Sequence, residues 1–167
     1  MSEEITQEKL KNILEYNFDT GIFIWKVSNS NAIKIGDIAG SPNKCGYIVI
    51  QINNKAYLAH RLAWLYIYGK WPKKEIDHIN GVECDNRFFN LRDVSHQENG
   101  KNQKLRATNT SGVTGVGWHK STNRWVATIR TGGRCKYLGC FNNLFDAACV
   151  RKSAEYKYGY HKNHGRR

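Results

Sequence analysis

The chain has 167 residues, 40% of them hydrophobic and 12% aromatic, which suffices for packed cores in one medium domain or two small ones. No apolar run approaches the length of a membrane span, and Met1-Ser2-Glu3-Glu4 lacks the basic and apolar regions of a secretion signal, so no membrane role is expected and a cytoplasmic location is. The net charge of +12 is unevenly placed: residues 1–100 hold 12 Lys and Arg against 12 Asp and Glu, whereas residues 101–167 hold 14 basic residues against Asp146 and Glu155 alone. Such asymmetry is the footprint of a polyanion-binding surface, and Trp118, Trp125 and Phe141 in the same stretch argue for a folded module rather than a solvated tail. The five cysteines are scattered and form no C-x-x-C pair, which excludes a disulfide scaffold and a zinc knuckle.

In chain order, residues 5–16 are predicted to form a short helix, with Thr6 as N-cap and Ile5, Leu10, Ile13 and Leu14 as its apolar stripe. Ile22 to Trp25 reads as a strand after the turn Asp19-Thr20-Gly21, and residues 27–45, rich in Ser, Asn and Gly, read as a loop. Tyr47 to Ile52 and Ala56 to Leu58 form a hairpin around Asn53-Asn54. Residues 59–68 are apolar enough for a buried helix, stopped by Gly69 and Pro72. His60 near its start suits a buried structural role, and Arg61 is a candidate phosphate contact.

The centre of the chain is Glu75-Ile76-Asp77-His78-Ile79-Asn80-Gly81, followed by Asp85-Asn86-Arg87, Asn90-Leu91-Arg92 and Ser95-His96-Gln97-Glu98-Asn99. A carboxylate and an imidazole close a short strand ending at His78; a polar loop leads to a second strand, Leu91 to Val94. A helix capped by Ser95 and Glu98 then carries Asn99 and is expected to run to about Lys104. Oxygens from Asp77 and Asn99 suit one hard divalent cation, Mg²⁺ or Mn²⁺, while a neutral His78 takes a proton from water.

That order and spacing, from about His60 to Asn102, resemble the HNH (ββα-metal) nucleases in the form common among phage homing endonucleases. The resemblance implies His78 as general base, Asp77 and Asn99 as metal ligands, and Asn90 as the residue that hydrogen-bonds across the loop to keep His78 oriented. Asn86 and Arg87 are expected near DNA.

Residues 107–111 form a polar connector. Beyond it, strands are predicted at Val113 to His119, Arg124 to Thr131 and Cys135 to Gly139. A helix follows, with Leu144, Ala147, Val150, Ala154 and Tyr158 on one face and Gly159 at its end. Ser111 to Trp118, Arg124 to Ile129 and Tyr137 to Phe141, with Ala147-Ala148, look like an AP2 DNA-binding domain, whose open sheet face meets DNA. The resemblance places contacts on Thr114, Gly117, His119, Arg130, Cys135 and Tyr137, and Thr128 is a further candidate. Several of these replace the arginines and the tryptophan by which that family reads bases, so no base preference carries over. Lys120, Arg124, Arg130, Arg134 and Lys136 are candidate phosphate contacts.

The expected protein is thus α+β. An N-terminal α/β segment (1–58) supports an HNH nuclease core (59–106), followed by a three-stranded antiparallel sheet plus helix (107–167). The expected activity is metal-dependent cleavage of double-stranded DNA, by a monomer or homodimer, in the host cytoplasm if phage-encoded. The rival reading is a DNA-binding regulator that does not cleave.

Overall fold

A computed structural model describes residues 5–28 and 33–167. Helices and strands mix throughout, and the backbone packs as two compact units, Met1–Ser95 and His96–Arg167. The composition places a connector at residues 107–111, whereas the packing divides the chain between Ser95 and His96.

In the first unit, α1 (Gln7–Ile13) starts where expected, with the Thr6 hydroxyl accepting from the Lys9 amide at 3.3 Å. The helix stops earlier than its apolar stripe suggests. Leu14–Tyr16 is instead a strand, β1, paired antiparallel with β2 (Phe23–Trp25). Alternation explains the change: Leu14, Tyr16, Phe23 and Trp25 all face the core and are at most 4% exposed, a burial that another helical turn would forfeit. The presumed loop also contains a short strand, β3 (Ser41–Pro42), on the edge of the sheet formed by β4 (Ile48–Ile52) and β5 (Lys55–Leu58). Asn53 and Asn54 turn that hairpin with φ of 50° and 63°, the left-handed pair that a tight two-residue turn demands.

Helix α2 (Ala59–Tyr68) has the predicted bounds. Gly69 ends it at φ 71°, its amide closing on the Leu65 carbonyl. Leu62, Ala63 and Leu65 of α2 pack with Leu10, Phe23, Ile50 and Ile52 in one apolar core that also reaches Ile76 and Leu91. Those last two belong to β6 (Glu75–His78) and β7 (Leu91–Val94), an antiparallel pair that sets Asp77 opposite Arg92 and His78 opposite Leu91. The core therefore anchors both strands that border the polar loop.

The second unit opens with a single turn, α3 (His96–Asn99), then a 3-10 turn at Gly100–Asn102. The expected helix to Lys104 does not form, for a non-local reason. Backbone carbonyls of this stretch receive amides from the C-terminal segment, His161 to Lys101 (3.1 Å) and Gly165 to Gln103 (2.9 Å), while the Leu105 amide donates to the Arg166 carbonyl (2.7 Å). Strands β8 (Val116–His119), β9 (Arg124–Thr131) and β10 (Arg134–Phe141) form an antiparallel sheet in the order β10-β9-β8, covered by α4 (Leu144–Lys157). Val116, Ala127 and Ala147 are its buried centre, with Trp125, Leu138, Phe141 and Leu144 around them.

Arg151 of α4 is 2% exposed, and its charge is met by Glu155 Oε1 at 3.0 Å and the Thr128 carbonyl at 2.6 Å. His164 lies against this group, its Nε2 4.0 Å from Glu155. Burial pulls the His164 pKa down to about 4, Glu155 opposing and Arg151 reinforcing the shift. Between its ordinary value near 6.5 and about 4, the unfolded chain binds a proton that the folded one refuses, so stability falls as pH drops through that window. Thermal melting at pH 7 and pH 5 is expected to show the loss, with a smaller drop in His164→Gln.

Candidate active site

Asp77 and His78 close β6, and both side chains are buried, at 7% and 4% exposure. Strand pairing sets Arg92 beside Asp77, and its Nε and Nη2 both donate to Asp77 Oδ2, at 2.9 and 2.6 Å. A guanidinium that holds one oxygen in this way fixes the carboxylate's orientation.

The His78 ring is held by Asn86, whose Oδ1 lies 3.1 Å from Nε2. An amide oxygen only accepts, so Nε2 is the donor in this contact. His60 stands edge-on to this ring, 5.1 Å between centroids and 88° between planes, and Tyr47 packs on both rings. His60 itself is buried, and among the described residues its Nδ1 has no hydrogen-bond partner. Burial, then the neighbouring His78 and Arg61, pull its pKa down to about 3, so it is an uncharged wall at neutral pH.

Asn90 hydrogen-bonds across the loop: its Nδ2 donates to Asn80 Oδ1 (3.0 Å) and the Asp85 carbonyl (2.8 Å), and its Oδ1 accepts from the Asn80 amide (2.9 Å). Asn80 in turn donates to Asp85 Oδ2 at 2.6 Å, and Arg87 Nε reaches Asp85 Oδ1 at 2.7 Å. Hydrogen bonding from Arg87, against a smaller burial effect, holds the Asp85 carboxyl below the usual range. The loop is thus braced from within by Asn80, Asp85 and Asn90, while Asn86 orients the imidazole. Sequence reading set Asn86 near DNA; its full burial was the missed feature, because an Asn in a polar loop carries no local sign of which way it faces.

Asn99, the remaining candidate, is half-buried in α3 of the second unit. Its turn is tied down by Lys101 Nζ on the Tyr158 carbonyl (2.8 Å) and by Arg166 Nη1 on the Asn102 carbonyl (2.5 Å).

The candidate DNA contacts divide by register. Gly117, His119, Arg124, Thr128, Arg130 and Tyr137 share the sheet face away from α4, since Thr128 pairs with Tyr137 and His119 with Arg124. Arg134 and Lys136 fall on the helix side, where Lys136 Nζ meets the Tyr158 hydroxyl at 3.0 Å. Trp118 also lies on that side, edge-on to Trp125 at 5.2 Å. Thr114 sits in the turn before β8 with its hydroxyl oxygen out of solvent, and Lys120 is exposed in the β8–β9 turn. In the first unit Arg61 stacks over Trp71 (5.9 Å), and Arg87 over the exposed Phe89 (5.0 Å).

A family model described as HNH endonuclease matches residues 57–101, which run from β5 through the Asp77–His78 strand to Lys101. A relative from Escherichia phage T7, Protein 3.8, is 36% identical over 81 residues, spanning 48% of this chain and 67% of that protein. The chain belongs to the HNH endonuclease family. No solved structure matches it.

Within this HNH domain the loop brace makes a direct prediction. Asn90→Ala removes three hydrogen bonds and leaves buried groups unpaired, so unfolding free energy is expected to drop by about 2–3 kcal/mol in denaturant titration.

Proposed function

We propose that this protein is a divalent-metal-dependent DNA endonuclease, in which the HNH domain cuts and the basic second unit holds the duplex. The observation that carries this reading is His78, buried beside Asp77 at a strand end and held through Nε2 by Asn86. A neutral imidazole in a set orientation suits the task of taking a proton from an attacking water.

On this reading Asp77 would supply a carboxylate oxygen and Asn99 an amide oxygen, the ligand types that Mg²⁺ or Mn²⁺ takes. Such a cation supplies charge neutralisation at the phosphate and the leaving oxygen. Arg92 holds Asp77 in place, and His60 keeps an uncharged, apolar wall against the base.

For the second unit, the reading rests on charge and on the sheet. Residues 101–167 carry the chain's whole positive excess, and Arg124 and Arg130 share the sheet face opposite α4 with His119 and Tyr137. An AP2-like use of that face would orient DNA, with phosphate contacts supplying affinity and no fixed base preference. The phage homing-endonuclease type belongs to the same proposal.

The rival, a DNA-binding protein that does not cleave, draws on the hold that Arg92 has on Asp77. Supercoiled DNA incubated with Mg²⁺, Mn²⁺ or EDTA separates the two. Metal-dependent conversion to open-circular or linear form, lost in His78→Ala with binding retained, is expected; retarded DNA without new ends under every condition means the rival. Arg124→Ala and Arg130→Ala are each expected to reduce the slope of log affinity against log salt by about one. An unchanged slope puts the footprint elsewhere.

A further inference from the structure

The HNH match begins at residue 57, yet the residue that holds His78 is itself held from outside that segment. The Tyr16 hydroxyl, on β1, donates to the Asn86 carbonyl at 2.6 Å, in the core. Asn86 is 2% exposed, and its side-chain oxygen is the acceptor for His78 Nε2 at 3.1 Å. The Tyr16 ring is fixed by Phe23 at 4.8 Å, Phe18 at 5.2 Å and Tyr66 at 5.7 Å. The β1–β2 turn presses on the same place: a Cβ on Gly21, whose φ is 73°, would stand 2.3 Å from the Arg87 nitrogen and 2.4 Å from the Asn86 carbonyl carbon. The hairpin's backbone thus lies directly on the Asn86–Arg87 peptide.

We infer that Tyr16 is a positioning residue for the nuclease, acting through Asn86 to hold His78 in one tautomer and one orientation. The β1–β2 hairpin is then part of the catalytic apparatus rather than a passive extension. The geometry leaves Asn86 little freedom. Its backbone is fixed by a hydroxyl from one side and a glycine turn from another, so its side chain reaches the imidazole from a fixed base. Burial, then the charge of Asp85, keeps the Tyr16 phenol protonated well above the ordinary tyrosine range, so it is a donor at any working pH. Loss of that donor frees the Asn86 peptide to shift, and small shifts in a group that orients a catalytic side chain are costly.

This inference rests on the nuclease reading of His78, and its test separates the two. In the full chain, Tyr16→Phe keeps the ring and removes the hydroxyl. The expected result is a kcat for supercoiled-DNA nicking lower by about tenfold, with KM changed less than about twofold. Ile52→Val, a core change away from the site, serves as the stability control and is expected to keep the wild-type kcat at a comparable melting temperature. A second readout needs no activity: the long-range proton–nitrogen spectrum of the His78 ring should show the Nε2–H tautomer in the wild type and a tautomer mixture in Tyr16→Phe. Wild-type kcat and an unchanged ring spectrum in Tyr16→Phe overturn the role assigned to Tyr16. An equal kcat loss in Ile52→Val overturns it too, as general destabilisation. If the wild type cuts no DNA while the ring spectrum still changes in Tyr16→Phe, the nuclease reading fails and the Tyr16–Asn86–His78 linkage stands.

Discussion

Buried polar groups have to find partners, and Asn86 is the residue on which this site depends. Its backbone carbonyl accepts from the Tyr16 hydroxyl and its side-chain oxygen from His78 Nε2. An unpaired polar group at that depth costs as much as several good surface contacts contribute, so the interior has one arrangement in which all these groups are satisfied. That arrangement makes His78 Nε2 a donor and sets the orientation of its ring. The rest of the first unit builds the conditions for it: α2 supplies His60 as a neutral wall, β7 supplies Arg92 to hold Asp77, and Asn80, Asp85 and Asn90 stiffen the loop from inside.

The division of the chain follows the same economy of partners. The Asn99 turn stays short because the amides and carbonyls of residues 101–105 bond the C-terminal segment at residues 161–166. Asn99 is therefore structurally part of the basic unit, although in sequence it lies directly after β7. Charge divides at nearly the same point: the first 100 residues balance, and the positive excess lies beyond them. In the proposed function, a near-neutral unit holds the base while a basic one supplies the counterion release that drives affinity.

Much was legible from the residues alone, wherever a local rule decides. Apolar content and Gly69 bounded α2 to the residue, Asn53-Asn54 marked a hairpin, and Thr6 capped α1. The strands around Asp77–His78 and Asn90-Leu91 fell where the motif set them, each anchored in the core by apolar residues, Ile76 in one and Leu91 and Val94 in the other. Sequence also located the basic sheet-and-helix segment, since alternation and helical periodicity are local properties. Tertiary structure decided what depends on a distant partner. Leu14–Tyr16 became a strand because Phe23 and Trp25 offered a burying register; the α3 helix ended early because residues 161–166 claimed its continuation; Lys136 turned to α4 because strand register set its face. The direct contact of Asn86 with His78 had the same origin: asparagines in one polar loop are alike in sequence, and only the tertiary structure decides which of them meets the imidazole.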